Sequence, residues 1–135
     1  MKVLALIAAL IVGACPIPEH LQGQLDQDLK VKHGHEVGIF SEHMMIAFTT
    51  LNAESRCPRS VTCVRAGEAK ITIRVAKQFL ATETRVLTIP AGQAGSDSAQ
   101  YMGYTITLKA LDPYPETPDK PEPESYEATI VVTKG

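Results

Sequence analysis

The chain has no tryptophan, three phenylalanines, four tyrosines and three cysteines in 135 residues. With so few rings, stacking platforms for sugars or nucleobases are scarce. There is no long basic run and the formal charge is −2, so electrostatics give no reason to expect nucleic acid as a partner. Ser96 and Ser98 lie in or beside the glycine-bearing stretch Ala91 to Asp97, but no Gly-x-Ser-x-Gly elbow is present. A phosphate cradle needs a helix N-terminus after its glycines, and beyond the first fifteen residues no stretch sustains a helical apolar period. Neither a CxxC pair nor a second pair of cysteines occurs, which removes thioredoxin-like redox chemistry and a four-ligand zinc clip. An enzyme is therefore not expected, and no cofactor is implied.

What is present begins with MKVLALIAALIVGAC: one positive charge at Lys2, an apolar run from Val3 to Val12, then Gly13 and Ala14. This is the charged, apolar and small-residue order of a secretory signal. A bilayer-spanning helix needs about 20 apolar residues, and Pro16, Pro18 and Glu19 interrupt the run well before that. The stretch Val12-Gly13-Ala14-Cys15 resembles the lipobox of bacterial lipoproteins, which implies cleavage before Cys15, lipidation of its thiol and acylation of its amine. The alternative is ordinary signal cleavage nearby, with Cys15 incidental. One acyl chain anchors only marginally and several hold firmly, so membrane attachment through the N-terminal lipid is the expected partnership. Pro16 stands where aspartate would suggest retention at the inner membrane. The expected location is thus the bacterial cell envelope, at the outer membrane if the cell has one, with the domain facing an extracytoplasmic space.

Residues 1–14 read as the signal, 15–27 as a proline- and glutamine-rich tether, and 28–135 as one domain. Within the domain, apolar and polar residues alternate at Leu29 to Lys32 and Ile71 to Ala76, and again at Tyr104 to Leu111. Short β-rich runs occupy Glu36 to Phe40, Met44 to Leu51, Thr84 to Ile89 and Tyr126 to Thr133. About seven short strands separated by turns predict an all-β fold: a small antiparallel β-sandwich of immunoglobulin-like type, or else a small β-barrel. Residues 112–125, DPYPETPDKPEPES, carry five prolines and five acidic residues. Their composition predicts an extended, protruding loop.

Cys57 and Cys63 stand six apart in ESRCPRSVTC. Outside the cytoplasm such a pair most simply forms a disulfide, and lipidation of Cys15 accounts for the odd thiol. A sharper alternative is a protease inhibitor: the ring would offer Arg59-Ser60 as a bait bond, stiffened by Pro58, to a trypsin-like protease. A second alternative is a periplasmic metal binder at His33, His35 and His43, with Glu36, Glu42, Met44 and Met45 nearby. Imidazole with thioether suits copper, and imidazole with carboxylate suits zinc; that site requires a hairpin to bring His43 opposite the first two.

The run Glu54-Ser55-Arg56-Cys57-Pro58, followed by Val61, Cys63, Val64 and Ala66-Gly67-Glu68-Ala69, resembles a recurring pattern in small secreted or lipid-anchored bacterial proteins of unknown function. The likeness extends over most of residues 28–134 and departs at Arg65, where the pattern has tryptophan. It implies an architecture and a compartment, and no activity. Arg56, Arg59, Ser60 and Arg65 are the residues of a possible binding loop for an envelope protein, and Arg56 is placed to bridge Glu54 or Glu68. The expectation is a non-catalytic binding or envelope-interaction module.

Overall fold

In the computed structural model the described residues are Gly13, 22–91 and 97–135. They form eight strands: β1 (Leu29–Lys32), β2 (Glu36–Ile39), β3 (Met44–Glu54), β4 (Glu68–Lys77), β5 (Glu83–Pro90), β6 (Asp97–Tyr101), β7 (Tyr104–Asp112) and β8 (Glu127–Lys134). The expected antiparallel β-sandwich forms, from one sheet in the order β1-β8-β7-β6 and another in the order β2-β3-β4-β5. The sheets do not close into a barrel. Each is built largely as a meander, and the chain changes sheets between β1 and β2 and between β5 and β6. The likeness to an immunoglobulin domain therefore rests on the two packed sheets, with connections simpler than a Greek key.

The core is the inward half of each alternation. Ile71, Ile73 and Val75 of β4 face Ile106 and Leu108 of β7 and Ile130 and Val132 of β8 in one buried cluster, with Phe48 and Leu87. Bulges alter which residues take part. In β7 the register shifts between Leu108 and Ala110, so Leu111 turns inward where strict alternation would place Ala110. In β3 two shifts, at Phe48/Thr50 and Leu51/Ala53, reverse the facing phase and restore it. Leu51 then packs against the core, and Glu54 points into it with 7 % of its surface exposed.

Two segments differ from expectation. Residues 22–27, assigned to the tether, are fastened to the domain: the Gly23 amide donates to the Gly38 carbonyl at 2.7 Å and the Asp26 amide to Val132 at 2.9 Å. Leu25 packs against the core, which a solvated tether would not allow. The other is the Pro-rich segment, which is folded back on the molecule rather than protruding.

Candidate functional site

At the end of the sandwich where β3 finishes and β4 begins, the chain makes the loop that carries both cysteines. Its base continues the ladder, with the Ser55 amide donating to Glu68 O at 2.8 Å and the Cys57 amide to Ala66 O at 2.7 Å. Gly67 allows this closure: its φ is +77°, and a Cβ there would lie 1.7 Å from the Ser55 carbonyl oxygen. Cys57 and Cys63 are joined, with Cα atoms 5.9 Å apart.

Glu54 and Arg56 close the mouth of the sandwich. Their side chains are 4 % and 3 % exposed, and Arg56 Nη2 donates to Glu54 Oε2 at 2.7 Å while Nε donates to Oε1 at 2.9 Å. The Arg56 amide also donates to Oε1, at 3.1 Å. The guanidinium then reaches across to the other sheet, where Nη1 donates to Leu111 O at 2.8 Å and Nη2 to Pro113 O at 3.3 Å. Below the pair, the Tyr126 hydroxyl is buried without a hydrogen bond of good geometry. Burial, and after it the negative charge of Glu54, pushes its pKa up to about 12. Of the two bridges open to Arg56, the one to Glu54 is made; Glu68 pairs with Lys70 on the surface.

The Pro-rich segment seals the outside of the same end. Prolines lack an N–H but keep their carbonyls as acceptors, and these are what the ring uses: the Arg59 amide donates to Pro115 O at 3.1 Å and the Ser60 amide to Glu116 O at 3.0 Å. Tyr114 donates its hydroxyl to the Cys57 carbonyl at 2.7 Å. The guanidinium carbons of Arg56 and Arg59 lie 4.9 and 4.8 Å from its ring centroid. Arg59 also pairs with Glu116. Missing donors predict protrusion, but the segment keeps its carbonyls as acceptors and adds the Tyr114 hydroxyl, and these fasten it to the ring. Tyr114, one of few aromatics and held between two prolines, was the available signal.

Two concavities flank this brace. One of about 430 Å³ lies between the ring and the end of β5, lined by Arg59, Val61, Pro90 and Tyr114 among others. The other, about 280 Å³, lies between the ring and the Pro-rich segment, lined by Pro58, Val61, Pro115, Pro118 and Lys120. Val64 and Arg65, directly after the ring, stand exposed, Val64 completely, and Arg65 makes no hydrogen bond or ion pair among the described residues. Comparison with protein-family models, with curated proteins and with solved structures gave no match.

The remaining sequence-derived sites fare differently. Cys15 and Ser96 lie outside the described residues, and Ser98 is in β6. A bait bond presents an extended backbone, but Arg59 and Ser60 are the central residues of a turn closed by Val61 N to Pro58 O at 3.3 Å. Both of their amides are also committed to the Pro-rich segment, and this geometry disfavours the inhibitor alternative. The histidines are not brought together. The His33 ring packs edge-on to Phe48 at 5.1 Å, and His35 Nδ1 lies 3.1 Å from the His33 carbonyl oxygen. His43 sits beyond the far end of β2, about 13 Å away at 3.3 Å per residue over its length, in a left-handed conformation with φ 51°. Met44, proposed as a thioether ligand, is turned into the core. Among the described residues no three His, Cys, Asp or Glu side chains converge as a metal site requires.

Proposed function

We propose that the protein is a lipid-anchored, extracytoplasmic envelope module that binds a partner without catalysing a reaction, and that the braced end carrying the disulfide ring is its interaction face. The observation that carries this reading is the allotment of the three cysteines. Cys57 and Cys63 are bonded to each other, and the third stands at the end of an apolar run as Val12-Gly13-Ala14-Cys15. A disulfide with one half-exposed and one exposed cysteine is compatible with an oxidising compartment. The brace supports a binding role physically: a loop already fixed by a covalent ring, a buried ion pair and two amide-to-carbonyl bonds loses little entropy when it docks. The charges of Arg56 and Arg59 are already taken up, the first by Glu54 and two carbonyls and the second by Glu116, while Arg65 stays available to a partner, which favours recognition by shape and charge over acid–base chemistry.

The test is site-specific photo-crosslinking in intact cells, with the probe placed at the exposed Val64 beside the ring and, as a control, at the exposed Val86 on edge strand β5. A discrete adduct from position 64 that is absent from position 86 supports the assignment. Equal smears or no adduct from both positions removes it.

A further inference from the structure

The pole opposite the brace is made of three hairpin tips tied to one another. His43 O accepts from the Gln78 amide at 2.9 Å, joining the β2–β3 tip to the β4–β5 tip. Tyr101 Oη donates to Ala81 O at 2.8 Å and Lys77 Nζ donates to Tyr104 Oη at 2.9 Å, joining the β4–β5 tip to the β6–β7 tip from the other sheet, and Tyr104 Oη donates to Glu42 Oε2, joining the β2–β3 tip to it as well. These tips expose apolar side chains. Phe79 is 95 % exposed, and Leu80 and Met102 are about half exposed at 47 % each. Phe79 also holds a left-handed φ of 62°, a conformation that favours glycine or asparagine. Neither packing nor backbone preference within the fold accounts for a phenylalanine there.

The chain also joins the domain near this pole. Gln22 bridges to Gly38, which pairs with Met45, the second residue of β3. Gln22 is seven positions after Cys15, a reach of at most about 25 Å fully extended. The braced end lies about 30 Å further along β3, at 3.3 Å per residue. If Cys15 carries lipid, the domain is held with the hairpin tips toward the bilayer and the brace away from it. Charges at this pole are largely paired, with Lys77 and Lys134 sharing Glu42 and Arg85 beside Glu83, which leaves one net positive charge among these five groups, so contact there would be mainly apolar. From the exposed tips and the short connection beside them, we propose that Phe79, Leu80 and Met102 form a second membrane contact, inserted at the lipid interface, which fixes the domain upright on its anchor. This rests on the lipid-anchor reading.

The absence of tryptophan makes the test direct. Full-length Phe79→Trp, Leu80→Trp and, at the braced end, Val64→Trp proteins are purified from membranes and reconstituted into vesicles with and without brominated lipid. The mass of the N-terminal peptide reports separately whether Cys15 is acylated. The expected result is an acylated peptide, with blue-shifted emission at positions 79 and 80 quenched several-fold more strongly than at 64. An acylated protein in which all three positions are equally unquenched overturns the contact while leaving the anchor intact. Blue-shifted emission that brominated lipid does not quench indicates protein at the tips, a second copy included, and also overturns it. An unacylated peptide removes the anchor and the proposed contact with it.

Discussion

Replacing Arg56 with alanine would leave the Glu54 carboxylate, 4 % exposed, with the backbone amide at position 56 as its remaining hydrogen-bond donor. The guanidinium supplies bonds through Nε and Nη2 to that carboxylate, two more to the carbonyls of Leu111 and Pro113, and a face against the Tyr114 ring. Removing one member of such a pair strands a buried charge, for which about 3–5 kcal/mol is typical. Against a domain stability of roughly 5–15 kcal/mol, that is a large fraction, and it corresponds to a fall in Tm on the order of 10–20 °C. The same arithmetic gives a contrast: the Arg59–Glu116 pair has both side chains 63 % exposed, so Arg59→Ala should cost no more than about 1 kcal/mol. Neutralising both buried partners, as in Glu54→Gln with Arg56→Met, should be less damaging than Arg56→Ala alone, because no charge is stranded. Urea unfolding followed by far-UV circular dichroism measures all four proteins. An Arg56→Ala variant within about 1 kcal/mol of the parent would refute the reasoning, since it would mean that water reaches Glu54 at little expense.

Other consequences are more local. Cys57→Ser with Cys63→Ser, or reduction of the parent, should lower stability by about 2 kcal/mol for a closed loop of this length, read from the same urea transitions. Gly67→Ala, whose Cβ would sit 1.7 Å from the Ser55 carbonyl oxygen, should cost at least about 2 kcal/mol, checked by thermal melting. The raised Tyr126 pKa, about 12 against an ordinary value near 10, means that stability is intact below pH 10 and is lost as pH rises through 10 to 12, because the unfolded chain ionises first. Tyr126→Phe should therefore melt near the parent at neutral pH and above it in alkali. For Glu42 the sign is opposite: the Tyr104 hydroxyl is the largest influence, burial opposes it, and Lys134 and then Lys77 add to the lowering, so that its pKa lies below the usual value of 4.5. The stability lost in Tyr104→Phe should be present at neutral pH and vanish as pH falls below 4.5.

Much of the sandwich was legible because period-two alternation is local: Leu29 to Lys32, Ile71 to Ala76 and Tyr104 to Leu108 each carry their facing in their own order. Strand β6 was not, since Asp97, Ser98 and Gln100 look like loop residues, and Ala99 and Tyr101 alone face inward at a sheet edge. Leu111 and Glu54 were obscured for another reason. A bulge changes the phase without leaving a mark in composition, so their inward direction depends on register with a distant strand. At the candidate site, the disulfide and the Arg56–Glu54 bridge could be read because their partners are within six residues of each other. For the docking of Tyr114 and Glu116 on the ring the sequence offered only the hint of an aromatic between two prolines, because it joins residues 56 or 57 apart and largely through backbone carbonyls, which every residue possesses.

The most direct test of the central claim is membrane fractionation of cells producing the parent protein or its Cys15→Ser variant, with the mature N-terminus determined for each. The account predicts that the parent sediments with membranes and starts at an acylated Cys15, whereas Cys15→Ser is found in the soluble extracytoplasmic fraction with the Cys57–Cys63 bond formed. Identical distribution of the two proteins, or a parent with a free Cys15 thiol, would contradict it.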